Sequence, residues 1–515
     1  MWSEARIAHR CALVLLPLLA GWITGCPQDE TQSQSTSSAT TTAQPAATAQ
    51  PQPEPEPEWR DLAADSGQWW SEGCDPYNQG LTTNHGPHNP ELKWTCELGL
   101  NPTGQLVLAP DGSLVVGLTA AAAWRGFIAP EYIIGRFTDT EEVDIHAGGV
   151  AVVSAAGELR WTRQTHAEPW LVVTRRPDAR VIVQCSWREE DEILERGNVP
   201  DTMNTPYGEL VCWDLDGTEL WRNDTDGMLL GEMVYTDKSI YGFVAKFAHL
   251  EENGFYDGSK LEISLLNVAL DGTVNWRYRL PHMDEAWGLT PSCQPVLLRN
   301  DKLGVCWNDR AYRTFNLDGG KGFTYTFRSV PDCRIAVASN SDLVLLANDR
   351  PMLTDKQLDM MSWEAMNNYG VMHVLHESGS LNWNIQIGSD CHSAPAVDNT
   401  GRIHFGTNFY IDRRDEYREI GRVYAVRMDK HIDWEYDCHA GFADSDVQPD
   451  PLIDGGRTLY ISDKERHLYA LNLDGTLRWE YAAPQGFATN PVIGADGTLY
   501  IGGRDGLLYA LGDPE

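Results

Sequence analysis

The side chains with the most chemical potential in this sequence are two Cys-His dipeptides, Cys391-His392 and Cys438-His439, and a scattered set of carboxylates, Asp284, Glu285, Asp332, Asp390, Asp444 and Asp446. Two thiolates and two imidazoles form a ligand set that suits zinc or copper, so His392 and His439 are candidate metal ligands. A separation of 47 residues from Cys391 to Cys438 is not a finger-like spacing, and no CxxC or CxxCH motif occurs. That weighs towards disulfides or free thiols. With Cys11 and Cys26 set aside, nine cysteines remain: Cys74, Cys96, Cys185, Cys212, Cys293, Cys306, Cys333, Cys391 and Cys438. An odd number leaves at least one unpaired within a monomer. The carboxylates can hold a hard divalent cation or meet a basic partner; equally, they can form a solvated rim on a chain that is acidic throughout.

Familiar catalytic signatures are absent. There is no GxSxG, HExxH, P-loop or complete EF-hand loop, and Asp214, Asp216, Asp224 and Asp226 in WDLDGTELWRNDTDG read as turn carboxylates. No catalytic residue is assigned. Forty basic against 74 acidic side chains leave a formal charge of −34 over 515 residues. Such a chain repels phosphate backbones and anionic headgroups, so nucleic acid is not an expected partner.

The amino terminus sets the compartment. Arg6 and Arg10 precede an apolar run from Cys11 to Ile23, about 13 residues and too short to span a bilayer as a helix. Residues 1–25 read as a secretion signal, and its end, Ile23-Thr24-Gly25-Cys26, resembles the lipobox of bacterial lipoproteins. The resemblance implies cleavage before Cys26 and acylation of that residue, giving multi-chain anchoring to a membrane. Residues 26–58 hold no Val, Ile, Leu, Phe or Tyr and end in QPQPEPEPE. They are expected to form a disordered tether, extended at its Pro-rich end. Residues 59–515 are the globular part. Pro27 lacks the Asp that in some bacteria signals inner-membrane retention, which favours the outer membrane.

These residues hang on a repeat. The phrase LYALNLDGTLRW at 468–479 returns in versions ending at Trp161, Trp221, Trp276, Trp383 and Trp434, and YRTFNLDGGKGFTYTF fills the double gap with Tyr325 or Phe327 in the place of Trp. Each phrase is an alternating strand, a turn often carrying Asp-Gly, and a second strand closing on an aromatic. A further hairpin before most phrases makes four strands, a propeller blade. Residues 489–511 supply only three strands, and Trp94 lies on an orphan outer strand, so the two should pair and close a ring of eight blades. The expected fold is all-β, an eight-bladed β-propeller of four-stranded antiparallel blades with Trp anchors packing between them. Long insertions at about 119–147, 187–207, 246–260, 350–369 and 408–420 lie between second and third strands. They share one face with the connections that carry the carboxylates, which marks that face as a binding surface. Cys293, Cys333, Cys391 and Cys438 also recur there in successive blades, making Cys293–Cys333 and Cys391–Cys438 natural disulfide candidates. Cys212 stands where other repeats have Ala and reads as a buried small residue.

ADGTLYIGGRDGLLYAL and HLYALNLDGTLRWEY resemble the repeats of pyrroloquinoline-quinone-type propellers, and WWSEGCDPYNQGLTTNHGPHNPELKW is similar to the segment that often precedes their first blade. Two branches share this fold. One is the quinoprotein dehydrogenases, which oxidise alcohols or sugars with pyrroloquinoline quinone and calcium. The other is non-catalytic lipoproteins such as the propeller subunit of the outer-membrane barrel assembly machinery. The enzymes carry a vicinal Cys-Cys disulfide that is missing here, and their Ala…Thr-Gly…Trp docking phrase is shortened to Ala470…Asp474-Gly475…Trp479. The resemblance therefore implies a non-catalytic envelope lipoprotein without a cofactor that binds an envelope protein or small ligand. The alternatives are a quinoprotein dehydrogenase, or a cation or carbohydrate sensor.

Overall fold

Each repeat folds as four antiparallel strands, a to d, and the strands assemble into eight four-stranded sheets. The computed structural model describes residues 79–514 apart from 120–147, 166–168, 175–178, 189–205, 237, 248–260, 281–294, 308–309, 328–334, 349–369, 388–392, 414–415 and 443–449. All lie in the unit Pro57–Glu515. Blade 1 comprises Asn101–Leu108, Leu114–Thr119, Gly148–Val153 and Leu159–Thr165, and blades 2 to 5 follow between Trp170 and Gln386. Blade 6 comprises Ala396–Val397, Ile403–Arg413, Glu416–Val426 and Ile432–Asp437. Blade 7 comprises Leu452–Ile453, Thr458–Ser462, His467–Asn472 and Leu477–Ala482. Blade 8 takes strands a to c from Val492–Ile493, Leu499–Gly502 and Leu507–Gly512, and its outer strand from Glu91–Glu97, with Trp94 opposite Ala510. The result is an all-β, eight-bladed propeller closed by N- and C-terminal strands. Among the described residues no helix is long and apolar enough to cross a membrane.

Burial explains the sequence pattern strand by strand. Gly148–Val153 and Thr458–Ser462 are buried at every position, because middle strands are covered on both faces by neighbouring blades. The outer strand Leu477–Ala482 alternates between exposed and half-buried residues, one side facing solvent and the other the next blade.

The aromatic anchors lock successive blades. The indole N–H groups of Trp161, Trp221 and Trp434 donate to the carbonyls of Leu215, Leu270 and Leu473, each in the c–d turn of the following blade, at 2.8, 3.0 and 2.9 Å. The ring of Trp434 lies flat against Gly475, whose φ of 86° and lack of Cβ let it approach: a Cβ there would stand 2.7 Å from Trp434 Cδ2. In blade 4 the residue packed in this way, against Gly379, is Phe323. Phe323 pairs in register with the Trp positions, so neither Tyr325 nor Phe327 is the anchor. Both lie further along the same strand, beside His373.

Blade 8 has no c–d turn, since its strands c and d come from distant parts of the chain. The lead-in fills the gap: Trp479 donates to the carbonyl of Pro87 at 2.9 Å. Upstream of that point the lead-in passes the ends of the inner strands. Gln79 donates to Val337 of blade 5 and accepts from Val397 N–H of blade 6. Gly80 and Thr82 bond both backbone groups of Ile453 in blade 7, and Asn84 donates to Ile493 of blade 8 at 2.7 Å. Residues 79–87 thus form a strap over the inner strands of four blades.

Candidate functional site

Topology divides the ring into two unequal faces. On the face of the a–b and c–d turns no connection exceeds six residues, and this is the face the strap crosses. On the other, the b–c connections include residues 120–147, 189–205, 248–260 and 349–369, and the d–a connections include 280–295 and 438–451. Four of the five expected insertions lie there, outside the described residues. The fifth, about 408–420, is not a loop. Strands Ile403–Arg413 and Glu416–Val426 stay paired through it out to Arg413 opposite Glu416, making a hairpin longer than any other. Arg422 helps tie its base, stacking over the Phe409 ring at 3.8 Å and pairing with Asp437 at 2.6 Å.

Among the described residues, the inner mouth on this face is lined by residues just before strand a of blades 6, 7 and 8. Asp450 is buried; its Oδ1 accepts the Ala394 N–H at 2.6 Å, and its own N–H donates to Asn490 Oδ1 at 3.0 Å. This polar belt runs from blade 6 through blade 7 to blade 8. Beneath it, Ser393 exchanges two hydrogen bonds with Gly406, at 3.1 and 2.9 Å. Thr489 accepts the N–H of the equivalent Gly502 at 2.8 Å. Asp450 and Asn490 join blades, Ser393 and Thr489 tie strands within blades 6 and 8, and among the described residues no group of three or more His, Cys, Asp or Glu could hold a metal ion.

Of the residues singled out by sequence, Asp284, Glu285, Asp332, Asp390, Asp444, Asp446, Cys293, Cys333, Cys391, His392 and the lipidation candidate Cys26 lie outside the described residues. Cys438 and His439 are described. Cys438 is a free thiol among the described residues, while Cys391, its expected disulfide partner, lies outside them. Cys438 is buried in a cluster with Leu459, Ile461 and Tyr469 of blade 7, and burial pushes its pKa well up. Cys212 is likewise a buried free thiol, opposite Trp221 in its sheet, raised to about 12 by burial.

His439 meets partners that the sequence reading passed over. Its ring centroid lies 4.7 Å from that of His467, and its Nε2 is 3.3 Å from Glu480 Oε2. His467 Nδ1 is 3.1 Å from Oδ2 of buried Asp463, and the Tyr469 hydroxyl donates to the same oxygen at 2.8 Å while accepting the His439 N–H at 2.9 Å. The His467 ring and, through Tyr469, the His439 backbone are therefore referred to one carboxylate. Aligning the repeats was the available signal. In blade 8 Tyr509 donates to Asp505, which stands at the position of Glu465, while Gly503 takes the place of Asp463 and Leu507 that of His467.

Residues 417–512 match the family described as outer membrane protein assembly factor BamB. No curated protein matches the sequence. Among solved structures, the chain is similar to a europium-containing methanol dehydrogenase (TM-score 0.55, 11% identity, covering 88% of this chain and 100% of that one). It is also similar to the quinohemoprotein alcohol dehydrogenase from Comamonas testosteroni (TM-score 0.57, 12% identity, 88% and 82%). A third is a quinohemoprotein alcohol dehydrogenase from Pseudomonas putida HK5 (TM-score 0.52, 11% identity, 88% and 81%). At these identities the likeness is one of fold.

Proposed function

We propose that this protein is a non-catalytic, lipid-anchored envelope scaffold that binds an envelope protein or small ligand through its b–c and d–a face. One observation carries the reading: every long connection, and the extended blade 6 hairpin, is on that face, while the opposite face has only tight turns and the strap. Loops of such length on a rigid ring are where binding residues concentrate. The match of residues 417–512 to the barrel-assembly family supports it. So does the inner mouth, where Asp450 and Asn490 are engaged in joining blades and Ser393 in tying the strands of blade 6. Anchoring at Cys26 in the outer membrane completes the proposal.

The test is site-specific photocrosslinking in intact cells. Probes placed within 120–147 and 349–369 should capture a discrete envelope protein, and probes at Asp216 or Asp474 on the opposite face should not. Equal capture from both faces, or from neither, sinks the proposal.

The second reading, a quinoprotein dehydrogenase with pyrroloquinoline quinone and calcium, is favoured by the solved structures above. Titrating the protein with the quinone, with and without calcium, and following Trp fluorescence separates the two. Saturable, calcium-dependent quenching would put the enzyme first.

A further inference from the structure

We propose that the seam between blades 6 and 7 is an acid-operated hinge: a proton on His404 opens the end on the face of the a–b and c–d turns, while the end on the b–c and d–a face stays closed. The inference goes beyond the binding role proposed above and does not depend on it.

An imbalance of partners starts the opening. His404, in strand b of blade 6, is 0% exposed, and its Nε2 stands 3.2 Å from Oδ2 of Asp398 in the a–b turn. Asp398 also accepts from the N–H groups of Thr400 and Arg402, so it is the acceptor here and Nε2 carries the proton of the neutral ring. Nδ1 has no partner among the described residues. A second proton, placed there, makes a buried donor with nothing to receive it. Burial opposes that proton most strongly and Arg402 adds to the opposition, outweighing Asp398 and Asp433 of strand d, which favour it. Blade 7 and the strap bring Leu459, Leu473 and Leu81 to the seam, and Cys438 and Tyr469 further along it are pushed up by burial and stay neutral in acid. A charged His404 is therefore favoured where water reaches it, and acid shifts the population towards an open seam.

What opens is the lock itself. The Trp434 ring packs on His404 with centroids 5.7 Å apart, and its indole N–H donates to the Leu473 carbonyl of blade 7 at 2.9 Å. Arg402 Nη1 donates to the same carbonyl at 3.1 Å. Both donors adjoin the titrating ring, one in contact with it and the other sharing its sign of charge. The far end is held by bonds that acid leaves alone or strengthens. Lys464 N–H donates to the Gly441 carbonyl at 3.0 Å, and the His439 N–H donates to the Tyr469 hydroxyl at 2.9 Å. His439 Nε2 lies 3.3 Å from Glu480 Oε2, and a proton on that ring makes the contact an ion pair across the seam. One blade further on, Tyr460 fills the position of His404, so the next seam lacks the titrating ring.

The experiment is amide hydrogen exchange of the full-length protein, read by mass spectrometry at pH 7.5 and 5 and corrected for the pH dependence of the chemical step. Exchange across residues 472–476, the c–d turn of blade 7, should quicken by up to about tenfold per pH unit below about pH 6.5. Residues 438–441 and 464, at the far end, should keep their protection, as should 269–273, the equivalent turn of blade 3. H404Y, which imports the blade 7 residue, and H404F should each abolish the gain. In the unaltered chain, exchange of the His404 ring C2–H reports its titration directly, and its midpoint should coincide with that of the amide gain. The proposal is overturned by no gain at 472–476, by an equal gain at both ends or at every turn, by a gain that survives both substitutions, or by midpoints that differ.

Discussion

Blades 6 and 7 carry the same repeat and solve the same local problem with different chemistry. In each, an Asp in the a–b turn gathers backbone N–H groups and is capped by an aromatic ring from strand b that packs on the blade's own Trp. Blade 7 uses Asp454, Tyr460 and Trp479; blade 6 uses Asp398, His404 and Trp434, and both ring pairs have centroids 5.7 Å apart. Burial raises the Tyr460 pKa, so its hydroxyl stays protonated at every relevant pH. His404 is fully buried, and burial lowers its pKa below the usual histidine value. Its Nδ1 has no partner within the described residues. Burial alone would raise the pKa of Asp398, but hydrogen bonds from His404, Thr400 and the Arg402 N–H hold it below the usual carboxylate value. The c–d turns differ too, Lys430 holding a φ of 72° where Gly475 holds 86°. Similar geometry thus comes in one blade with a cap that stays protonated and a glycine turn, and in the other with a titratable cap and a left-handed Lys.

The largest effect expected from breaking this comparison is at the anchors. Trp434→Ala should destabilise the ring by about 3–5 kcal/mol in urea denaturation, through lost packing and an orphaned Leu473 carbonyl. Trp479→Ala should match it if the Pro87 carbonyl is a full substitute for a turn. A clearly smaller loss there would show that the strap is a weaker lock.

Gly475→Ala should cost about 2 kcal/mol, combining a left-handed Ala with a Cβ pressed against Trp434. An unchanged urea midpoint would show that the turn yields freely.

His404→Tyr imports the blade 7 solution. Because the folded pKa of His404 lies below about 6.5, the unfolded chain binds more protons as pH falls below that value, and stability drops by up to about 1.4 kcal/mol per pH unit. Asp398 adds a second loss at lower pH, as it protonates through its depressed pKa. Tyr at position 404 should flatten the slope between pH 6.5 and 5 in a melting series and leave the loss near pH 4. An unaltered slope would place the acid sensitivity elsewhere.

Lys430→Gly is the smallest change, a gain of up to about 1 kcal/mol from relieving the left-handed Lys. It is measurable as a small upward shift in the urea midpoint.

The ring was legible in the sequence because most blades repeat a c–d turn, Asp-Gly in four of them at 216–217, 271–272, 318–319 and 474–475, with an aromatic at a fixed offset, and period-two alternation tells outer from middle strands. The anchor of blade 4 was misplaced because TFNLDGGKGFTYTF offers three aromatics at period two; the four-residue offset from Gly319, the same as from Gly475 to Trp479, and packing against Gly379 single out Phe323. The 408–420 segment, NFYIDRRDEYREI, looked like a loop since its charges hide the strand alternation, yet cross-strand pairing carries it through. His439 was legible as a candidate ligand, but its partners were not. His467 and Glu480 sit on the following blade, and which side chains of two blades face each other depends on the stagger between sheets, which one-dimensional spacing does not encode. The strap escaped notice for a related reason, since its bonds run through backbone groups and through Asn84 and Gln79, residue types that occur in any loop.

The closure of blade 8 also orders events in time. Glu91–Glu97 pairs with Leu507–Gly512 across more than four hundred residues, and the strap waits on strands from blades 5 to 8. In a chain threaded amino terminus first, the earliest globular residues to emerge are among the last to find their places. Until then the ring has two open sheet edges, one at each end of the repeat array, ready to pair with the wrong strand. Arrival of the carboxy-terminal strand seals both at once, so a chain that stalls or is clipped before residue 507 is left with its most association-prone surfaces uncovered.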